Sequence, residues 1–165
     1  MTDRDRFSQE QWLALVDAGP AIARAIASTA GSSGQTQTEL GAFVQLVEQA
    51  AADAPAGLLG DIVADTYGRL AGGLPDARGS DPYMGGIEAA RKAGAILDVQ
   101  PDPAEAQRAR AWYLSIAQRV AEATREGGVL GIGGEQVSQF EREAIKAIAD
   151  ALGATAVDEG EAPAD

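Results

Sequence analysis

The sequence predicts an all-α fold, a single-domain bundle of about six helices. Apolar residues recur at every third or fourth position in several stretches, and residues that cap helix N-termini stand at the starts of these stretches. β-branched and aromatic residues never alternate over more than a few positions, so strand signals are weak throughout. The 165 residues suffice for one domain with a substantial core, and no Pro/Gly/Ser-rich stretch is long enough to separate two domains.

The first predicted helix begins at Ser8. Ser8 and Gln11 form a predicted capping box, in which two side chains satisfy backbone donors that have no helical partner. Gly19 and Pro20 predict a kink or a break, because proline lacks a backbone donor and crowds the preceding turn. The helical pattern continues beyond them to about Thr29.

The second and third predicted helices are also amphipathic. Thr36 and Glu39 form another predicted capping box, which places the start of the second helix at this point. The third helix follows a turn at residues 53–55 and ends at Gly72 and Gly73, where the longest predicted internal loop begins. The predicted buried positions of these two helices are Leu40, Phe43, Val44, Val47, Leu59, Ile62, Val63 and Leu70.

Two Asp-Pro pairs open the fourth and fifth predicted helices. Asp81-Pro82 and Asp102-Pro103 each place an acceptor at the N-cap and proline at the first helical position. The fifth helix has the most regular apolar stripe, so we expect it at the centre of the core. That stripe contains Ala109, Trp112, Tyr113, Ile116, Ala117, Val120 and Ala121.

The last predicted helix is capped by Ser138, and Ile145, Ile148, Ala149 and Leu152 form its buried face. We therefore expect a loose N-terminus over residues 1–7, a helical domain over residues 8–152 and a disordered tail over residues 153–165. The tail is acidic and has few apolar residues, so burial would not offset the entropy cost of ordering it.

Two helix–loop–helix segments, residues 21–51 and 115–152, resemble each other. Each has a glycine after its first helix, Gly34 or Gly128, followed by a hydroxyl residue and a glutamate three positions later. Two explanations remain open: a bundle of two related halves, or the shared helical periodicity of an alanine-rich chain.

The chain contains no histidine and no cysteine. Imidazole bases, Cys–His nucleophiles, thiolate redox centres, structural zinc, iron–sulfur clusters and histidine-ligated haem all need these residues. We therefore expect a protein that is not an enzyme and has no cofactor. A bound metal would be a hard cation with oxygen ligands, such as magnesium, calcium or manganese.

The formal net charge is −12, and no local cluster of basic residues is visible. Such a charge repels nucleic-acid phosphates and anionic lipid surfaces, so we expect neither nucleic acid nor membrane as a partner. No apolar run approaches the length of a membrane span, and the N-terminus has no apolar segment typical of a signal peptide. The expected location is the cytoplasm, and the expected partner is another protein or a second copy of the chain.

Asp61 and Asp65 are the candidate metal ligands. They are four residues apart and share one helical face, so together they could supply two oxygens to a divalent cation. Carboxylates in the early turns of a helix are also stabilised by the helix dipole, which explains the pair without a metal.

The loop over residues 127–134 holds Val129, Leu130 and Ile132 among five glycines. These three aliphatic residues either tuck back into the core or form the contact site for a partner. The free backbone donors before the next helix could alternatively hold an anion, although no Gly-Lys-Ser/Thr motif is present. The aromatic residues Trp12, Phe43, Trp112 and Tyr113 fit a core or, alternatively, a pocket for an apolar ligand.

The glycine-rich loop followed by Ser138 and Glu141 resembles the helix–loop–helix of the TerB-like tellurite-resistance families, and Gly34 to Glu39 resembles it more faintly. The resemblance implies a small, acidic, helical, cytoplasmic protein connected with stress responses. The acidic metal-binding residues of those families do not carry over, because Gly133-Gly134-Glu135 stands where an aspartate-rich loop is expected.

These observations predict a helical protein that acts through protein–protein contacts, in a stress-related setting. Two alternatives remain. One is a carboxylate-based divalent-cation binder or metal-dependent enzyme that uses Asp61, Asp65 and a neighbouring acid. The other is a carrier of a small apolar ligand, with its pocket beside Trp112.

Overall fold

The computed structural model describes residues 3–30, 33–53, 55–74, 81–126 and 138–154. Within these ranges the chain forms a short 3-10 helix and six α-helices, and it contains no β-strand. The α-helices are α1 Gln9–Ala27, α2 Ser33–Asp53, α3 Leu58–Leu70, α4 Pro82–Asp98, α5 Pro103–Glu126 and α6 Gln139–Leu152. The predicted all-α class and single bundle are confirmed.

Helices α1 and α5 form the centre of the bundle, and each of them contacts every other α-helix. Their fully buried side chains supply much of the apolar core, including Leu15, Ile22, Ile26, Tyr113, Ile116 and Val120. The sequence predicts a central α5. Helix α1 shares that position because its buried face continues on both sides of Pro20.

Of the kink or break predicted at Pro20, the break does not occur, since α1 is one helix with Pro20 inside it. Proline cannot donate to the carbonyl of Val16, which lies four residues earlier. The hydroxyl of Thr66 on α3 lies 3.4 Å from that carbonyl, although its shorter hydrogen bond, at 2.8 Å, goes to its own helix at Ile62. Neighbouring helices surround this part of α1. Burial of its side chains therefore stabilises the helix despite the backbone hydrogen bond that is missing at Pro20.

Helix α4 packs closely against both α1 and α6 because two of its glycines lie at the crossings. A Cβ atom on Gly86 would lie 2.3 Å from the Cβ of Ala25 in α1. A Cβ atom on Gly94 would lie 2.9 Å from the carbonyl oxygens of Ala151 and Leu152 in α6. Side chains at these positions would force the helices apart, so close packing requires glycine at both.

Most of the predicted N-caps are present. Ser8 with Gln11 and Ser138 with Glu141 form complete capping boxes, and Asp81 accepts from the backbone of Tyr83 at 3.0 Å. The predicted cap at Thr36 is wrong, because α2 begins earlier, at Ser33. Thr36 instead donates its hydroxyl to the carbonyl of Ala27, so it ties α2 to the C-terminus of α1.

The N-terminal half of α5 is attached to α3 by Glu105. Its Oε2 accepts a hydrogen bond from the backbone of Leu58, the first residue of α3, at 2.7 Å. The preceding residue, Gly57, has φ 76° and no side chain to cap the helix itself. A Cβ atom there would lie 2.4 Å from Glu105 Oε1, so glycine leaves the space that this carboxylate occupies.

Part of the N-terminal segment that the sequence predicts to be loose packs against the bundle. Asp3–Arg6 form the 3-10 helix, and Phe7 packs against Trp12 with 5.7 Å between the ring centroids. The guanidinium carbon of Arg4 lies 5.9 Å from the centroid of the Trp12 ring. Trp12 is almost fully buried in the bundle. Its contacts with Phe7 and Arg4 therefore hold the N-terminal segment against the bundle.

Candidate functional site

Asp65, one of the two predicted metal ligands, makes contacts with the N-terminal part of the chain. Its Oδ2 accepts a hydrogen bond from Trp12 Nε1 at 2.7 Å and lies 3.4 Å from Arg4 Nη1. Asp61 lies in the first turn of α3. Among the described residues, no group of three or more acidic side chains is arranged to hold a metal ion. Metal binding by Asp61 and Asp65 stays a prediction, which calorimetry with calcium, magnesium and manganese would test.

The predicted partner-contact residues Val129, Leu130 and Ile132 lie outside the described residues, as does the rest of the predicted loop over residues 127–134. Most of the predicted acidic tail, residues 155–165, also lies outside them.

Three of the four aromatic residues considered for a ligand pocket belong to the core. Phe43 and Tyr113 are fully buried, and Trp12 is 3% exposed. Trp112 is half-buried and packs against the outside of the core. Burial raises the pKa of the Tyr113 phenol far above its usual range, because the phenolate would lose its hydration. Its hydroxyl therefore stays protonated and donates to the carbonyl of Leu15 at 2.7 Å.

Among the described residues, a cleft of about 440 Å³ lies between α4, α5 and α6. Helix α5 forms its floor, where side chains recur at intervals of three or four residues and therefore share one face. The floor residues are Pro103, Ala106, Gln107, Ala111 and Leu114. They extend over about 16 Å of helix, at 1.5 Å per residue. We call this surface the α5 cleft.

The ends of the two neighbouring helices form the walls of the α5 cleft. Leu97, Asp98 and Gln100 contribute from the C-terminal end of α4. Gly153 and Ala154 contribute from the segment that follows α6. Because the walls are helix ends, backbone carbonyls come close to the cleft and need donors.

Arg110 supplies such a donor to the last residue of α6, and it joins the three helices. Its Nε donates to the carbonyl of Leu152 at 2.9 Å, and its Nη2 donates to the carbonyl of Gly94 at 3.3 Å. Nη2 also forms an ion pair with Asp98. The Arg110 side chain is 16% exposed, whereas that of Asp98 is 70% exposed. Arg110 thus fixes the distance between the cleft walls, and Asp98 presents its carboxylate at the edge.

The α5 cleft was not predicted from the sequence, although the sequence contains the helical spacing of its floor residues. The positions of Pro103, Gln107, Ala111 and Leu114 follow helical spacing on the side of α5 next to the stripe predicted as core. The walls could not be predicted, because only the crossing of α4 and α6 at Gly94 brings the two helix ends together.

Comparisons with known protein families, curated proteins and solved structures find no match for this chain. The resemblance to TerB-like families therefore stays a prediction. The helices of the described ranges include none with the length and apolar character that a membrane crossing requires.

Proposed function

We propose that this chain is a protein-contact module that receives a partner in the α5 cleft. The observation that carries the proposal is the cleft itself, which combines a largely apolar floor with walls held in place by the half-buried Arg110. Concave apolar surfaces with a few polar groups are typical binding sites, because they remove much of an occupant's surface from water.

The positions of the apolar side chains also support the α5 cleft as the binding surface. Trp12, Phe43 and Tyr113 are used in the core, whereas Ala111 and Leu114 remain accessible at the cleft. Val99, in the connection between α4 and α5, is 75% exposed. Apolar side chains around a concave floor favour a protein partner over water.

Site-specific photo-crosslinking in the native cell tests the proposal. The photoreactive residue p-benzoylphenylalanine replaces Gln107 in the cleft or, as a matched control, Ala95 on the exposed face of α4. We expect discrete crosslinked products from position 107 that are absent from position 95. The substitution Ala111→Trp, which fills the cleft, should abolish them.

Identical products from both positions would refute the proposed function, as would products from position 107 that persist in Ala111→Trp. Circular dichroism of each variant checks that the bundle is folded. If Ala111→Trp does not fold, the photoreactive residue at position 107 is combined instead with Leu114→Ser. This substitution removes apolar surface from the cleft without adding volume.

A carrier of a small apolar ligand is the second candidate, and the volume of the α5 cleft favours it. A cleft of about 440 Å³ falls within the range of ligand pockets, about 300–1,000 Å³. Trp112 does not line the α5 cleft, so this candidate uses a different pocket from the one predicted beside Trp112. Organic extraction of protein purified from its native cells, followed by mass spectrometry, tests this function, and loss of a co-purifying molecule in Ala111→Trp would support it.

A further inference from the structure

We propose that the α5 cleft recognises a basic peptide segment that inserts aliphatic side chains between α4 and α6. This inference rests on the proposed function and names the chemistry of the partner. It follows from the shape of the cleft, from the balance of charge inside it and from the charge around it.

The shape of the cleft favours a peptide. Its floor follows α5 from Pro103 to Leu114, and this distance is about 16 Å at 1.5 Å per residue. A surface that is long and open at the side suits an elongated occupant that contributes a side chain at intervals. The small floor residue Ala111 is exposed and leaves space for such side chains, and the partly exposed Leu114 provides an apolar contact.

The charge inside the cleft does not favour an anion. Arg110 is the lining residue with a positive charge, and its partner Asp98 lies in the same lining. Two of its nitrogens already donate to the carbonyls of Gly94 and Leu152. The ion pair leaves the lining without net charge, so a carboxylate or phosphate group in the cleft would find no free positive charge.

The surroundings of the cleft favour a cation. Asp98 is largely exposed at the edge, and Asp102 directly precedes the floor residue Pro103. The whole chain carries a net charge of −12. Complementary potentials of this kind speed the encounter with a basic partner and exclude acidic ones.

Fluorescence anisotropy with three synthetic peptides tests this chemistry. The first peptide has leucine at every third or fourth position and lysine between them. The second has serine in place of each leucine, and the third has glutamate in place of each lysine. We expect the full-length protein to bind the first peptide at least about tenfold more tightly than either of the others, a difference of about 1.4 kcal/mol.

The variant pair Ala111→Trp and Ala95→Trp locates the binding. Both substitutions add the same side chain to an exposed alanine, but only residue 111 lines the cleft. We expect Ala111→Trp to weaken binding of the leucine–lysine peptide by about tenfold or more, and Ala95→Trp to leave it unchanged. Nuclear magnetic resonance shifts in the unmodified protein give a second localisation, and they should concentrate at Leu97, Ala111 and Leu114.

Several results would overturn the inference. Equal binding of the first and second peptides would show that net charge alone attracts them. Equal binding of the first and third peptides would show that Asp98 and Asp102 at the edge of the cleft do not select a basic partner. Shifts that lie away from the cleft would also refute it. These results differ from a failure of the proposed function: site-specific crosslinks at Gln107 with no preference among the peptides would keep the docking surface and reject the basic partner.

Discussion

The hydroxyl of Tyr113 on α5 donates a hydrogen bond of 2.7 Å to the carbonyl of Leu15 on α1. Leu15 precedes Pro20 by five residues, in the part of α1 where the proline alters the regular pattern of backbone bonds. The hydrogen bond joins the two helices at the centre of the bundle, and both side chains are fully buried. It is therefore the best place to test how the core is held together.

We expect Tyr113→Phe to lower the free energy of unfolding by about 1–3 kcal/mol, because the carbonyl of Leu15 loses a buried donor. Urea unfolding followed by circular dichroism measures the change. Tyr67→Phe is the matched control, since Tyr67 is 49% exposed and its change should be close to zero. Equal effects of the two substitutions would contradict a structural role for the Tyr113 hydroxyl.

Stability should also fall with rising pH in a way that depends on Tyr113. Burial raises the pKa of this phenol in the folded state, whereas in the unfolded chain it titrates at about 10. The stabilising contribution is therefore present below pH of about 10 and is lost above it, with a slope of up to about 1.4 kcal/mol per pH unit. Tyr113→Phe should show a shallower decline, so parallel curves for the two proteins would count against this linkage.

Gly57→Ala should lower the free energy of unfolding by about 2 kcal/mol or more, because φ 76° disfavours other residues and the new Cβ would collide with Glu105. Gly68→Ala in the same region should instead raise the free energy of unfolding. Gly68 lies inside α3 with open space around it, so alanine should stabilise the helix by about 0.5–1 kcal/mol. Thermal unfolding of the two variants compares them, and a stabilised Gly57→Ala would rule out the cap formed by Glu105.

Asp65→Ala should destabilise the protein by about 1–3 kcal/mol and shift the emission of Trp12, because the largely buried indole nitrogen loses its acceptor. Asp65→Asn keeps an acceptor oxygen and should cost less, since the ion pair with Arg4 is exposed and weak. Urea unfolding and fluorescence spectra measure both effects. If Asn is as harmful as Ala, the charge and not the hydrogen bond is the important feature of Asp65.

Arg110→Lys should lower the free energy of unfolding by about 1.5–3 kcal/mol, because an ammonium group cannot replace the planar guanidinium that reaches Leu152, Gly94 and Asp98 together. Arg91→Lys, on the exposed face of α4, is the control and should change stability by less than about 0.5 kcal/mol. Similar values for the two variants would mean that Arg110 does not hold the cleft walls.

Local patterns predicted much of the secondary structure. The capping boxes at Ser8 and Ser138 act between residues three positions apart, so they can be identified from the sequence alone. Thr36 shows the limit of this reasoning, because its hydroxyl donates to the carbonyl of Ala27 in another helix instead of capping α2. Pro20 shows the same limit, since burial among neighbouring helices overrides the local cost of proline.

By itself, the sequence determined the all-α class, the central position of α5 and the absence of histidine and cysteine chemistry, because these depend on composition and on helical periodicity. Only the tertiary structure decided that Asp65 pairs with Trp12, that Glu105 caps α3 and that Arg110 joins three helices around a cleft. Asp65 and Trp12, Glu105 and Leu58, and Arg110 and Leu152 are each more than 40 positions apart in the chain. Such contacts depend on how the helices cross, and at the α5 cleft the close packing of α4 on α6 at Gly94 sets that crossing.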